Sequence, residues 1–170
     1  MSFLELAHAR YSCRSLSDKP VEDTLIEKLL EAARIAPTAR NFQPWHLWLF
    51  RSPEAIEKLG TATPFLFGAK TALVMGTKRD DAWTRKFDGY NMAPVDAAIA
   101  GTHIILAAHD LGLGSTWVGV VDAPLLKKLY PEMEGYEIVG AFPIGYPAAD
   151  AAPSPRHTER KSIDELVTRL

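Results

Sequence analysis

The chain has 170 residues, 47% of them apolar and 24% charged, with 19 basic against 21 acidic side chains and a net charge of −2. This is ordinary globular sequence of about one domain, able to bury roughly 70% of its unfolded surface, and it excludes disordered, collagen-like and disulfide-scaffold chains. The near-neutral balance gives no overall basic field for nucleic acid, and the lone Cys13 can make neither an internal bridge nor a cysteine-built metal site.

Ser2, with Glu5 three residues on, has the form of a capping box and predicts a helix from residue 3 to 8 or 10. Asp18, Lys19 and Pro20 make a turn. Leu25, Ile26, Leu29, Leu30 and Ala33 recur at helical spacing, which predicts a second helix over 22–35, ended by Pro37. A polar loop over 36–44 leads into an aromatic-rich strand over 46–50. Ser52 caps a short helix to Leu59, residues 61–70 are ambiguous, and 71–76 is a second strand. The charged stretch 78–91, which contains Trp83, Phe87 and Tyr90, reads as a loop or lid. Pro94 opens the strongest helix, 95–111, apolar nearly all round and therefore expected to be buried, with Gly112 as its stop. A third strand is expected over 115–120, a helix from Asp122 to about Tyr130, and a fourth strand over 137–144. Residues 148–160 have no apolar period and read as an extended arm. Ile163, Leu166, Val167 and Leu170 beyond it have little to pack on locally, and another subunit would cover them. Strands alternating with helices argue for an α/β or α+β sandwich.

The apolar-rich stretch 95–113 is broken by Asp96, Thr102, His103, His109 and Asp110, so no membrane span is expected. Glu5, His8 and Arg10 stand where a signal peptide would place its apolar run. The expectation is a soluble, cytoplasmic chain forming a single domain over 1–170.

Familiar catalytic patterns are missing. There is no Gly-x-Ser-x-Gly elbow, no His-x-x-x-His pair and no Walker sequence, and no metal site is expected. Cys13 reads better as a small core residue than as a nucleophile. Gly112-Leu113-Gly114 begins like a dinucleotide loop, but Trp117 replaces the third glycine and the segment follows a helix instead of a strand. Arg10-Tyr11-Ser12-Cys13-Arg14 could hold a phosphate through charge-assisted bonds, or could be the basic last turn that helices favour anyway. Asn41 and Gln43, in the stretch Pro37 to Trp45, could cap turns or read the edge of a planar heterocycle.

These stretches, with Leu111-Gly112-Leu113-Gly114, Trp117-Val118-Gly119 and Pro143-Ile144-Gly145-Tyr146-Pro147 before a basic tail, together resemble the FMN-dependent nitroreductase family over nearly the whole chain. The resemblance is to its shorter members. It implies an α+β, three-layer sandwich with a mixed, mostly antiparallel central sheet. It further implies an intertwined homodimer whose swapped C-terminal arm, 148–170, wraps the partner subunit. FMN would sit at the dimer interface. Arg10 and Ser12, with Tyr11 between them, are implied at its phosphate and ribityl end, and Arg14 near the pyrimidine edge. Pro37, Thr38 and Asn41 would reach the ring from the opposite subunit, and Trp117, Val118 and Gly119 would pass along its other side. Arg160 matches the tail's phosphate-binding arginine. Thr158 stands where a second basic residue is often found, a place Lys161 or Arg156 could take.

The implied activity is hydride transfer from NAD(P)H through the flavin to a nitroaromatic, quinone or similar small acceptor, with no catalytic side chain of the protein's own. Phe65, Phe67, Trp83, Phe87 and Tyr90 could stack on an aromatic acceptor, with local packing as the other reading. The alternative function is a flavin-binding redox sensor or partner module without nicotinamide turnover. Neither a nucleic-acid nor a membrane partner is expected.

Overall fold

Short-range chemistry builds the helix starts where the sequence signals them. In the computed structural model, which describes residues 1–170, the Glu5 amide donates to Ser2 Oγ at 3.3 Å and the Glu5 carboxylate accepts from the Ser2 amide at 2.6 Å. This box opens α1 (Phe3–Ala9). Helix α2 (Asp23–Arg34) turns Ile26, Leu29 and Ala33 inward. Ser52 and Asp122 accept from the amides of Ala55 and Leu125 and so start α3 (Pro53–Ala62) and α5 (Ala123–Leu129). The longest helix, α4 (Ala93–Asp110), has Pro94 in its first turn and is followed by Gly112 at φ 75°.

Four strands form one sheet: β1 (Trp45–Phe50), β2 (Thr71–Thr77), β3 (Gly114–Ser115) and β4 (Glu137–Gly145), in the order β1-β2-β4-β3. Every strand pairing is antiparallel, and the parallel contact is an isolated bridge between Ser12 and Ser115. Strand β2 is buried along its whole length, so its alternate residues feed two different cores. Leu73 and Met75 join Phe142 and Ile144 of β4 against α2 and α4. Ala72 and Val74 face the other way, with Phe50, Leu59 of α3, Leu126 of α5 and Met133. The result is an α+β sandwich of three layers. Each fully buried Leu, Ile or Phe in it contributes about 1.5–3 kcal/mol relative to exposure.

Two sequence expectations are corrected, and one ambiguous segment is resolved. The third strand is not 115–120 but only Gly114–Ser115, followed by one bridge in which Val118 and Ala141 exchange main-chain bonds at 2.9 Å. The cause is Trp117. Its indole lies so close to Gly101 of α4 and Gly140 of β4 that a Cβ there would come within 2.6 and 2.7 Å of it, and it meets Phe142 edge-on at 4.9 Å. A ring wedged between helix and sheet takes its own backbone out of the ladder. Second, α4 is not buried all round within one chain. Ala97, Ala100, Gly101, Ile104 and Ala108 are buried, but Pro94, Val95, Ala98, Ile99, Thr102 and His103 line an open cleft of about 430 Å³. Third, residues 61–70 continue α3 to Ala62 and then turn through Phe67 and Gly68 at φ 53° and 86°.

The tail first crosses its own chain. The Ala148 amide donates to the Ser15 carbonyl at 3.1 Å, and Ser15 Oγ donates to Asp150 at 2.8 Å. Helix α6 (Ile163–Leu166) carries no buried residue, and Ile163 and Leu166 are each 67% exposed.

Candidate functional site

Beyond α1 the chain runs extended, which alternates its side chains between two sides. Cys13 is 1% exposed and packs against Gly114, while its amide donates to the Ser115 carbonyl at 3.0 Å. This pairing lays Arg10, Ser12 and Arg14 beside the segment that leaves β3. The thiol donates to the Ser15 carbonyl at 3.3 Å and plays a packing role.

Two clefts result. The first, about 250 Å³, is lined by Arg10, Tyr11, Ser12, Arg14, Ser154, Arg156, His157 and Arg160, with no carboxylate among them. His157 Nε2 donates to the His8 carbonyl near the end of α1 at 3.1 Å. Tyr11 stands edge-on to both His157 and His109, with 6.3 Å between ring centroids in each case. Burial, with help from the charge of Arg10, lowers the pKa of His109, while burial raises that of Tyr11. The second cleft, about 240 Å³, is lined mainly by apolar groups: Phe65, Phe67, Trp117, Val118 and Val120, with Thr116, Gly119 and Arg14. Gly119 faces open space, since a Cβ there would meet nothing within 4 Å.

Arg14 lines both clefts. A cationic cleft joined through it to a mostly apolar one suits an elongated ligand with an anionic end and a flat, aromatic end. FMN has that form, and the residues present fit it. Behind the clefts, Ser115 Oγ is buried without a partner, next in the chain to the cleft residue Thr116 and bridged through its backbone to Ser12.

Arg10, Tyr11, Ser12, Arg14 and Arg160 are thus brought to one cleft, and Trp117, Val118, Gly119 and Phe65 to the other. Pro37, Thr38 and Asn41 reach neither cleft of their own chain. They lie on the loop after α2, where the Ala39 amide donates to the Asp96 carboxylate of α4 at 2.8 Å. Trp83 and Phe87 also lie outside both clefts. Phe87 belongs to a turn closed by Arg85 and Tyr90 and is 98% exposed, and Trp83 stands just before that turn, its carbonyl accepting from the Met92 amide at 3.0 Å. Of the two residues considered for the place of Thr158, Arg156 lines the cationic cleft and Lys161 does not. His157, Ser154, Thr116 and Val120 were not singled out in the sequence. The tail's basic residues were a signal for the first of these, but no local pattern marks the others.

No group of three or more His, Cys, Asp or Glu is placed to hold a metal, and no helix is long and apolar enough to cross a membrane.

The nitroreductase family model matches residues 7–64 and 60–146. A protein from Methanothermobacter thermautotrophicus, provisionally named an NADH dehydrogenase/NAD(P)H nitroreductase, is 35% identical over 154 residues, covering 87% of this chain and 78% of that protein. A relative from Archaeoglobus fulgidus with the same provisional name is 35% identical over 85% of this chain and 84% of its own length. Among solved structures, a nitroreductase family protein from Clostridium difficile 630 superposes with a TM-score of 0.91 at 35% identity, covering 99% of this chain and 98% of that one. The FMN complex of a provisionally named nitroreductase from Desulfovibrio desulfuricans gives 0.81 at 27% identity, with 98% and 95% covered.

Proposed function

The chain belongs to the nitroreductase family, and from that premise we propose that it is an NAD(P)H-dependent FMN oxidoreductase acting as a homodimer on small nitroaromatic, quinone or similar acceptors. The observation that carries this reading is the pair of clefts meeting at Arg14.

When bound, FMN supplies reversible two-electron transfer between a nicotinamide and an acceptor. The chain's own residues bind and tune. Arg10, Arg156 and Arg160 offset the phosphate charge through charge-assisted bonds, and Ser12 adds a neutral donor. Trp117, Val118 and Gly119 provide the surface for the ring, with the open space at Gly119 leaving its face accessible. Arg14, common to both clefts, puts a fixed positive charge beside the ring. It favours added negative charge there and so raises the reduction potential. Phe65, stacked on Phe67 with centroids 5.9 Å apart, offers an aromatic wall to an acceptor.

The dimer is supported by two unpartnered apolar surfaces, the outer face of α4 and the side chains of Ile163, Leu166, Val167 and Leu170. In that dimer we assign the 37–43 loop, and the segment bearing Trp83 and Phe87, to the partner's clefts, since neither reaches a cleft of its own chain. The residues of 148–170 would then serve twice, completing the cationic cleft of their own chain and capping the other subunit.

The test is an anaerobic titration of purified protein with NADH and with NADPH, followed by visible spectra and then by addition of a quinone or nitroaromatic. The expected result is a yellow dimer that bleaches with nicotinamide and recovers colour with acceptor. Protein that stays colourless in added FMN would overturn the reading. Bound flavin that neither nicotinamide bleaches would point to a redox sensor instead.

A further inference from the structure

The loop between α2 and β1 is strained. Arg40, Asn41 and Gln43 sit at φ 53°, 59° and 53°, a region that asparagine tolerates but that arginine and glutamine seldom adopt. Such a backbone persists only where its surroundings hold it. Some of the restraint is local. The Gln43 amide donates to Thr38 Oγ1 at 3.1 Å, and Gln43 Nε2 to the Asn41 carbonyl at 3.0 Å. These bonds shape the loop but do not attach it to the body of the protein.

The attachment is Asp96. This residue is fully buried in the first turn of α4, and one carboxylate oxygen accepts from the Ala39 amide at 2.8 Å. Its other oxygen is buried without a partner. A buried, half-satisfied carboxylate is costly to keep. Its place in the first turn, where the helix dipole favours a negative charge, offsets part of that cost. The carboxylate does not cap its own helix, because its bonded donor is the Ala39 amide, while the Ala93 amide of the first turn donates to Asn91 Oδ1 at 3.0 Å.

We propose that Asp96 is a positioning residue that fixes the strained 38–43 loop so that Thr38 and Asn41 are presented, preformed, to the flavin ring of the partner subunit. This rests on the FMN reading above and adds a residue that touches neither cleft. The loop is assigned to the ring end of the ligand, and Arg10, Arg156 and Arg160 to the phosphate end. Asp96 therefore affects the binding of FMN and of riboflavin, which lacks the phosphate, to the same extent.

The experiment measures dissociation constants for both flavins, together with thermal midpoint and sedimentation, in wild type and in Asp96→Ala, Asp96→Asn, Asp96→Ala/Arg40→Gly and Arg10→Ala. Asp96→Ala is expected to weaken both flavins about tenfold while the dimer remains. Asp96→Asn, which keeps an acceptor oxygen, should stay within about twofold of wild type. Arg40→Gly should recover most of the loss, because glycine adopts that φ without strain. Arg10→Ala should weaken FMN alone.

Wild-type flavin binding in Asp96→Ala, or no recovery with Arg40→Gly, would overturn the proposal. If Asp96→Ala does not fold, hydrogen exchange of the wild-type Ala39 amide decides. Protection comparable to that of the α4 amides supports the clamp, and exchange at the rate of a free loop rejects it. Wild type that binds neither flavin would refute the FMN reading instead, and the Ala39 amide would still report on the clamp.

Discussion

Arg10 and Arg14 lie four positions apart on one extended segment, yet their places relative to the clefts assign them different work. Arg10 lines only the cationic cleft, so Arg10→Ala should weaken FMN by about 1.5–3 kcal/mol, the scale of a hydrogen bond to a charged group, with little change in potential. Arg14 lines both, so Arg14→Ala should lower the flavin midpoint potential more than it lowers affinity. Equilibrium dialysis and a redox titration of both variants separate the two effects, and equal changes in both would refute the division. His109 carries a pH prediction. Burial, and then the charge of Arg10, depress its pKa in the folded state, so the unfolded chain takes a proton there more readily than the folded one. Its contribution to stability is present above the unfolded pKa of about 6.5 and is lost as pH falls below it. The thermal midpoint should therefore fall as pH drops below about 6.5, and His109→Gln should flatten that part of the curve.

At the scale of elements, the packing of α4 against β4 depends on two absent Cβ atoms. Trp117 fills the space over Gly101 and Gly140, and this both ends β3 and carries Val118 and Gly119 to the lip of the apolar cleft. Gly101→Ala places a methyl within 2.6 Å of the indole, so the ring must move. Overpacking of this kind costs about 1–3 kcal/mol. The expected result is a lower thermal midpoint by calorimetry together with weaker flavin binding, because the displaced indole is also a cleft wall. A loss of stability with flavin affinity unchanged would show that Trp117 is only a core residue. On its other face, α4 shows Val95, Ala98 and Ile99 to solvent, an apolar strip that a long helix keeps open only where a partner covers it.

For the whole molecule, the two ends of the chain converge on one cleft. Arg10 stands ten residues from the start, and Arg156 and Arg160 stand in the tail, joined to the N-terminal segment by His157 on the His8 carbonyl and by Asp150 on Ser15. Two truncations separate the two roles proposed for this tail. A chain ending at Lys161 keeps the cationic cleft but loses Ile163, Leu166, Val167 and Leu170, and should sediment as a weakened dimer or monomer that still binds phosphate-bearing flavin. A chain ending at Pro147 loses Arg156 and Arg160 as well, and should lose both dimer and FMN. Sedimentation velocity with fluorescence titration checks each, and a native dimer lacking residues 148–170 would show the tail to be dispensable.

By itself the sequence determined what short-range chemistry controls. Ser2 with Glu5, Ser52, Asp122, Pro94 and Gly112 placed the helix ends, because caps and stops act over three or four residues. Strands β1, β2 and β4 were legible from their apolar runs, and the family from the order of its motifs. Tertiary structure alone decided the rest. The shortness of β3 followed from an indole meeting glycines on two other elements. The entry of Arg156 and His157 into the cationic cleft followed from a tail folding back across the N-terminal segment. The bond from Ala39 to Asp96 spans 57 positions of chain. No local propensity encodes contacts of that kind, since they exist only once the sheet and its two helical layers have brought distant segments together.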